Sequence, residues 1–189
     1  MLTGTNPNSK TRKPKTKTVF IDRDGTLIEE VNFLSRVDDL RFFSFTDESV
    51  RLLKENGFLI IVVTNQSGIG RKIFTEAAMH EIHEKIQNDL TVKLDGFYFC
   101  PHLPTDGCTC RKPNLGMIEK ACADFDVDLE NSWMIGDKIL DVELGLKANI
   151  KTALVLTGYG AGDLEKLEKK PDVVAENLLE AVKTIVSQI

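Results

Sequence analysis

The chain has 189 residues, 42% of them hydrophobic and 28% charged, with a formal charge of −5. That composition suits a globular domain with a sizeable core, and no apolar run reaches the roughly 18–20 residues that a membrane-crossing helix requires. The charge is uneven: residues 1–17 hold five cations (Lys10, Arg12, Lys13, Lys15, Lys17) and no acid, leaving 19 cations against 29 acids for the rest, a charge of −10.

Residues 1–17 read as a basic disordered tail. It lacks the apolar core of a secretory leader, so the expected location is the cytoplasm. Residues 18–189 read as one domain. TVFID (18–22) is a short β-rich run ending in an acid, and 47–56 is a helix with Asp47 as its cap and Gly57 as its stop. FLIIVVT (58–64) is apolar without alternation, as strands buried on both faces are. Residues 75–90 form a helix capped by Thr75, FYFC (97–100) a strand, and 116–125 a helix. SWMIGD (132–137), a helix over 138–147, TALVLT (152–157), DVVA (172–175) and a terminal helix complete the series. Strands alternating with helices predict an α/β fold, a doubly wound and mostly parallel sheet of Rossmann-like type.

Ligands of such sheets bind at the carboxyl ends of the strands. Four consecutive strand ends here carry Asp22-Arg23-Asp24-Gly25-Thr26, Thr64-Asn65-Gln66-Ser67, Arg111-Lys112 (after the loop that follows the third strand) and Gly136-Asp137-Lys138 with Asp141. These groups are the inventory of phosphoryl transfer. An acid just after a strand can attack phosphorus, forming an aspartyl-phosphate that water later cleaves. Asp24 can protonate the leaving oxygen and then deprotonate water. Asp22, Asp137 and the Asp24 carbonyl suit Mg²⁺, whereas Thr64 and Lys112 can hold the phosphoryl oxygens. Any one of these motifs alone is commonly a solvated turn; their coincidence at successive strand ends carries the reading.

These motifs resemble those of the haloacid dehalogenase-like phosphatases. VVTNQSGI, FTE, CPH, CxCRKP, GM and SWMIGDK are similar to one branch, the D-glycero-D-manno-heptose 1,7-bisphosphate and histidinol-phosphate phosphatases, over residues 18–160. The resemblance implies a Mg²⁺-dependent phosphomonoesterase with Asp22 as nucleophile, Asp24 as general acid and base, and Arg111 recognising substrate. It implies a small phosphorylated metabolite as partner, a sugar bisphosphate losing its 7-phosphate; composition argues against a membrane or nucleic acid as partner, and the expected state is a monomer. Only 40 residues separate Asp24 from Thr64, and 48 separate Thr64 from Lys112, which leaves no room for a separate cap domain. Glu30, Asn32 and Phe33 lie just beyond the first catalytic loop. They are candidate substrate contacts, together with Asn65, Gln66, Ser67 and Lys138.

Cys100, His102, Cys108 and Cys110 offer four ligands for tetrahedral Zn²⁺, making a small zinc-bound loop that is structural because the protein fills every position. A disulfide or free thiols are the other readings; a reducing compartment disfavours the first, and the resemblance favours zinc. Cys122 and Trp133 read as packing residues, and His80 and His83 as solvated.

Histidinol phosphate is the alternative substrate, since CPHLP and the five-residue gap from His102 to Cys108 resemble histidinol phosphatases. A polynucleotide 3′-phosphatase shares the DxDGT and TNQ-G patterns. It would fit the basic tail, but the acidic body offers no phosphate-neutralising face. Two readings are not enzymes in this sense. A phospho-accepting receiver would need an acid after the third strand, which here ends in Cys100; a catalytically dead sensor would be expected to lack Asp22 or Asp24, and both are present.

Overall fold

Every strand of the sheet runs parallel to its neighbours. A computed structural model describes residues 15–189, so the predicted tail lies outside the described residues up to position 14. In chain order the elements are β1 (Thr16–Ile21), α1 (Thr46–Glu55), β2 (Leu59–Asn65), α2 (Ser67–Gly70), α3 (Glu76–Asp89), β3 (Gly96–Cys100), α4 (Gly116–Asp124), β4 (Val127–Gly136), α5 (Ile139–Lys147), β5 (Lys151–Val155), α6 (Gly160–Leu164), β6 (Val173–Ala175) and α7 (Leu178–Val186). The strand order is β3-β2-β1-β4-β5-β6. The chain therefore winds outward from β1, returns across it, and winds outward again on the other side. The reversal opens a crevice beyond the carboxyl ends of β1 and β4, where ligands of such sheets bind.

The strands lack polar alternation because both faces of the sheet are covered. Val19 and Ile21 of β1 share one core with Ile60, Val62, Ile82 of α3, Leu53 of α1 and Ile185 of α7. Phe20 points the other way and packs with Ile61, Val63, Met134, Met117 of α4 and Leu144 of α5. Ile21 pairs with Val62 on one side and Ile135 on the other, which brings the residues after all three strands to one rim. Among the described residues no helix is long and apolar enough to cross a membrane, and no separate cap domain covers the rim.

The elements depart from expectation in four places. β1 begins two residues early, and Lys17, assigned to the tail, sits 4.6 Å over the Phe58 ring. Asp47 is not a helix cap: α1 starts at Thr46, and the Asp47 carboxylate accepts from the Thr91 amide (2.8 Å) and hydroxyl. β4 starts at Val127, because Val127 and Asp128 pair with Thr16 and Lys17 before a register shift. Its polar DLEN segment reads as loop in sequence but lies at the sheet's exposed end. The short, glycine-containing α2 and α6 leave no helical periodicity to read. Thr75 does cap α3, its hydroxyl accepting from the Ala78 amide at 3.1 Å.

Candidate active site

The end of β1 delivers Asp22 into the crevice almost fully buried. Lys112 Nζ lies 2.9 Å from Asp22 Oδ1 and 2.6 Å from Asp141 Oδ1, and donates to the Val63 carbonyl at 2.9 Å. Burial opposes the Asp22 charge, but Lys112 and Lys138, with hydrogen bonds from Lys112 and the Arg23 amide, outweigh it and hold the carboxyl below its usual range. Lys112, buried as well, is held above its ordinary value: burial favours the neutral amine, and Asp141 and Asp22 overcome that.

Asp137 is the least satisfied group. It is wholly buried, its Oδ2 accepts from the Tyr159 amide at 2.9 Å, and among the described residues its Oδ1 has no hydrogen-bond partner. Burial and the Asp22 charge push its carboxyl up to about 8, against the pull of Lys138. Gly25 and Gly158, both at positive φ (+83° and +54°), crowd it from two sides: a Cβ on either would collide with Asp137 Oδ2. Asp141 rises to about 6 because burial outweighs Lys112. Its oxygens are already engaged, Oδ1 by Lys112 and Oδ2 by the Lys138 amide at 3.0 Å at the start of α5.

Oxygens of Asp22, Asp137 and Asp141 lie within 4.8 Å of one another. A buried triad of carboxylates with one unpartnered oxygen fits a hard divalent cation. Since Asp141 is committed to Lys112, Asp22 and Asp137 are the side chains free to ligate. The Asp24 carboxylate takes no part in this triad; the expectation for Asp24 concerned its carbonyl.

The Asp24 carboxylate turns toward Arg23 and Gln66. Arg23 Nε and NH2 each donate to it at 3.0 Å, and Gln66 Nε2 donates at 2.8 Å while also donating to Thr64 Oγ1 at 2.9 Å. Glu30, Asn32, Phe33, Asn65, Gln66, Ser67 and Lys138 line one cavity of about 250 Å³ with Asp24 and Tyr159. There Lys138 Nζ lies 3.2 Å from Glu30 and 5.0 Å over the Tyr159 ring. Burial raises the Glu30 carboxyl although Lys138 opposes it. The Asn65 side chain also pins Lys112, accepting from its amide at 3.0 Å. Arg111 does not line this cavity: its guanidinium reaches the His102 carbonyl at 3.4 Å and borders a neighbouring cavity of about 300 Å³.

Cys100, His102, Cys108 and Cys110 come together through Sγ–Sγ distances of 3.6 Å and His102 Nδ1–Sγ distances of 3.5 and 3.2 Å. A tetrahedron with metal–sulfur bonds of about 2.3 Å has edges of roughly 3.8 Å, so this cage is of the right size and donor type for Zn²⁺. Burial lifts the Cys100 thiol to about 12, a group that bound metal would deprotonate.

The sequence reading missed Arg23, His83, Asp141 as the anchor of Lys112, and Tyr159. Contrary to expectation His83 is buried, stacked on Phe97 with ring centroids 4.5 Å apart. An arginine between two acids was the one signal that could have prompted a search for its partners.

Two family models match the chain: HAD-hydrolase-like over residues 109–181, and polynucleotide kinase 3 phosphatase over residues 17–144. The chain is 37% identical to the D-glycero-beta-D-manno-heptose-1,7-bisphosphate 7-phosphatase of Haemophilus ducreyi, over 88% of this chain and 96% of that one. This chain belongs to the haloacid dehalogenase-like phosphatases. The phosphatase is also 36% identical to the protein of the same name from Escherichia coli K12, over 90% of its own length and 94% of the relative's. The solved D,D-heptose 1,7-bisphosphate phosphatase of B. bronchiseptica, complexed with magnesium and phosphate, superposes with a TM-score of 0.85 at 28% identity, covering 92% of this phosphatase and 99% of that chain.

Proposed function

We propose that this phosphatase removes the 7-phosphate of D-glycero-D-manno-heptose 1,7-bisphosphate through an aspartyl-phosphate on Asp22. The observation that carries the chemistry is Lys112, wedged between Asp22 and Asp141 beside the open oxygen of Asp137. The substrate is inferred from the names of the relatives, and the metal is supported by the magnesium and phosphate in the B. bronchiseptica complex.

An Asp22 oxygen attacks phosphorus as the bond to the sugar oxygen breaks, and Asp24 gives that oxygen its proton. Asp24 then takes a proton from water, which attacks the phosphorus, releases inorganic phosphate and restores Asp22. Lys112 and Thr64 hold the equatorial oxygens, where negative charge gathers in the transition state. Asp22, Asp137 and the Asp24 carbonyl would hold Mg²⁺, which would supply the positive charge that lets a carboxylate approach a phosphate dianion. The sugar faces Glu30, Asn32, Phe33, Ser67 and Lys138. Zn²⁺ on the Cys–His cage is structural and fixes the loop that leads into Lys112. The active species is a cytoplasmic monomer, one phosphatase domain whose first strand starts at Thr16; a thiol-rich cage supports a reducing compartment.

The polynucleotide kinase 3 phosphatase match supports a second reading, a 3′-phosphate on a nucleic acid, which the −10 charge beyond residue 17 opposes. Phosphate release in Mg²⁺ from heptose 1,7-bisphosphate, histidinol phosphate and a 3′-phosphorylated oligonucleotide decides among them. The heptose should lead in kcat/KM by at least about tenfold, the effect of 1.4 kcal/mol in the transition state, and leave the 1-phosphate intact. A lead for either rival would replace the substrate assignment.

A further inference from the structure

We propose that His83, on the far side of Arg23 from the reacting groups, is a positioning residue for the acid–base carboxylate of Asp24. The inference rests on the reading of Asp24 as general acid and base. A carboxylate that must deliver a proton to one oxygen needs a fixed rotamer, and here two elements fix it. Arg23, 1% exposed, grips both Asp24 oxygens from one side and Gln66 holds Oδ2 from the other. The third guanidinium nitrogen of Arg23 has its own partner: NH1 lies 3.3 Å from His83 Nε2, sixty residues away in sequence, and adds a hold on the side opposite Asp24. A guanidinium has donors only, so the nitrogen facing it must accept, which requires a neutral ring protonated at Nδ1. The surroundings enforce that state, since burial and then the Arg23 and His80 charges lower the His83 value to about 3. Stacking on Phe97, with rings 25° from parallel, and an edge contact to Phe99 set the ring plane that aims Nε2. The line from Phe97 through His83 and Arg23 to Asp24 thus ties the helix α3 and the strand β3 to the proton-transfer group.

The test exploits leaving groups. Departure of phenolate from phenyl phosphate needs a general acid far more than departure of the more acidic p-nitrophenol. His83→Phe keeps the stacked ring but not the acceptor; His83→Gln keeps an acceptor without the ring. H83F should lower kcat/KM about tenfold on phenyl phosphate, a part of the roughly 10²–10⁴ that general acid–base catalysis supplies, and only about twofold on p-nitrophenyl phosphate. H83Q should stay within about twofold of wild type on both. If H83F does not fold, His83→Met serves as the acceptor-free partner to H83Q, and the same split is expected between those two. Equal losses on both substrates, no loss in the acceptor-free variant, or no rescue by Gln would overturn the inference. Asp24→Asn separates it from its premise: turnover of phenyl phosphate by D24N would remove the acid–base reading and the role of His83 with it. A dead D24N beside unaffected His83 variants would remove His83 alone.

Discussion

The carboxylate cluster and the Cys–His cage both gather side chains able to ligate a cation, and they are assembled by opposite means. Asp22, Lys112, Asp137 and Asp141 come from distant segments and meet because β1, β2 and β4 are registered against one another. The cage takes its four ligands from residues 100–110, a stretch of turns between β3 and α4 with no regular structure after Cys100. The sheet holds Asp22, Asp137 and Asp141 together with Lys112 and Lys138 among them, and burial, ahead of the neighbouring Asp22 charge, raises the proton affinity of Asp137 and Asp141. A short polar loop has no such reserve. With Zn²⁺ bound as proposed, the metal would fix its shape.

Four experiments would break or sharpen that contrast, the largest effect first. Asp22→Asn should lower kcat by more than roughly a thousandfold, the scale of losing a nucleophile, while circular dichroism and Tm stay near wild type. Residual turnover near wild type would remove Asp22 from the chemistry. Lys112→Met should instead lose fold as well as activity, because it leaves Asp22 and Asp141 buried without their cation; breaking such a pair costs about 3–5 kcal/mol in chemical denaturation. An unchanged unfolding midpoint would show that the sheet does not need this ion pair.

Cys110→Ser should cut bound zinc below about half an equivalent by elemental analysis, a ligand lost from a four-coordinate site. It should also open residues 101–115 to proteolysis while β1, β2 and β4 keep their amide protection. Loss of protection throughout the sheet would mean that the two clusters fold as one unit. The last test is pH. A carboxyl raised in the folded state binds protons that the unfolded chain has already lost, so stability falls as pH rises toward the folded value. Asp22, held low, and His83, held near 3, change stability only at or below pH 6.5, and Asp141 is largely titrated by then. Glu30, held high, and Cys108, held low, are present in both proteins, so between pH 6.5 and 8 the part of the fall that Asp137→Asn removes belongs to Asp137. In Mg²⁺-free buffer wild type should lose at least about 3 °C of Tm relative to Asp137→Asn across that window, what about 1 kcal/mol moves in a chain this long. Parallel curves would mean that Asp137 is not frustrated.

The strand ends were readable because a parallel interior strand is an uninterrupted apolar run, and the first polar residues after it must sit on the rim. Asp22, Thr64 and Asp137 follow that rule; Lys112, in the loop twelve positions beyond β3, and the four cage ligands were legible only through motif and spacing. Arg111 shows its limit. Its neighbour Lys112 takes the inward direction, so Arg111 turns toward the His102 carbonyl, and chain adjacency conveyed nothing about this. His83 shows a second limit. On its own helix it is one more polar residue, and only the packing of α3 against β3 and the β1 loop exposes a partner for it. Asp47 shows a third, since its carboxylate serves Thr91, a contact across 44 positions that no local pattern encodes.

Gly25 and Gly158 stand far apart in the chain, yet both are kept bare by the same Asp137 carboxylate. The aim of that carboxylate is thus written in two missing methyl groups. Alanine at either position would displace one and the same oxygen, so that part of the two lesions should not add, whereas the strain of a left-handed φ is incurred at each position separately. For any library built on this scaffold, the pair is coupled through one carboxylate oxygen.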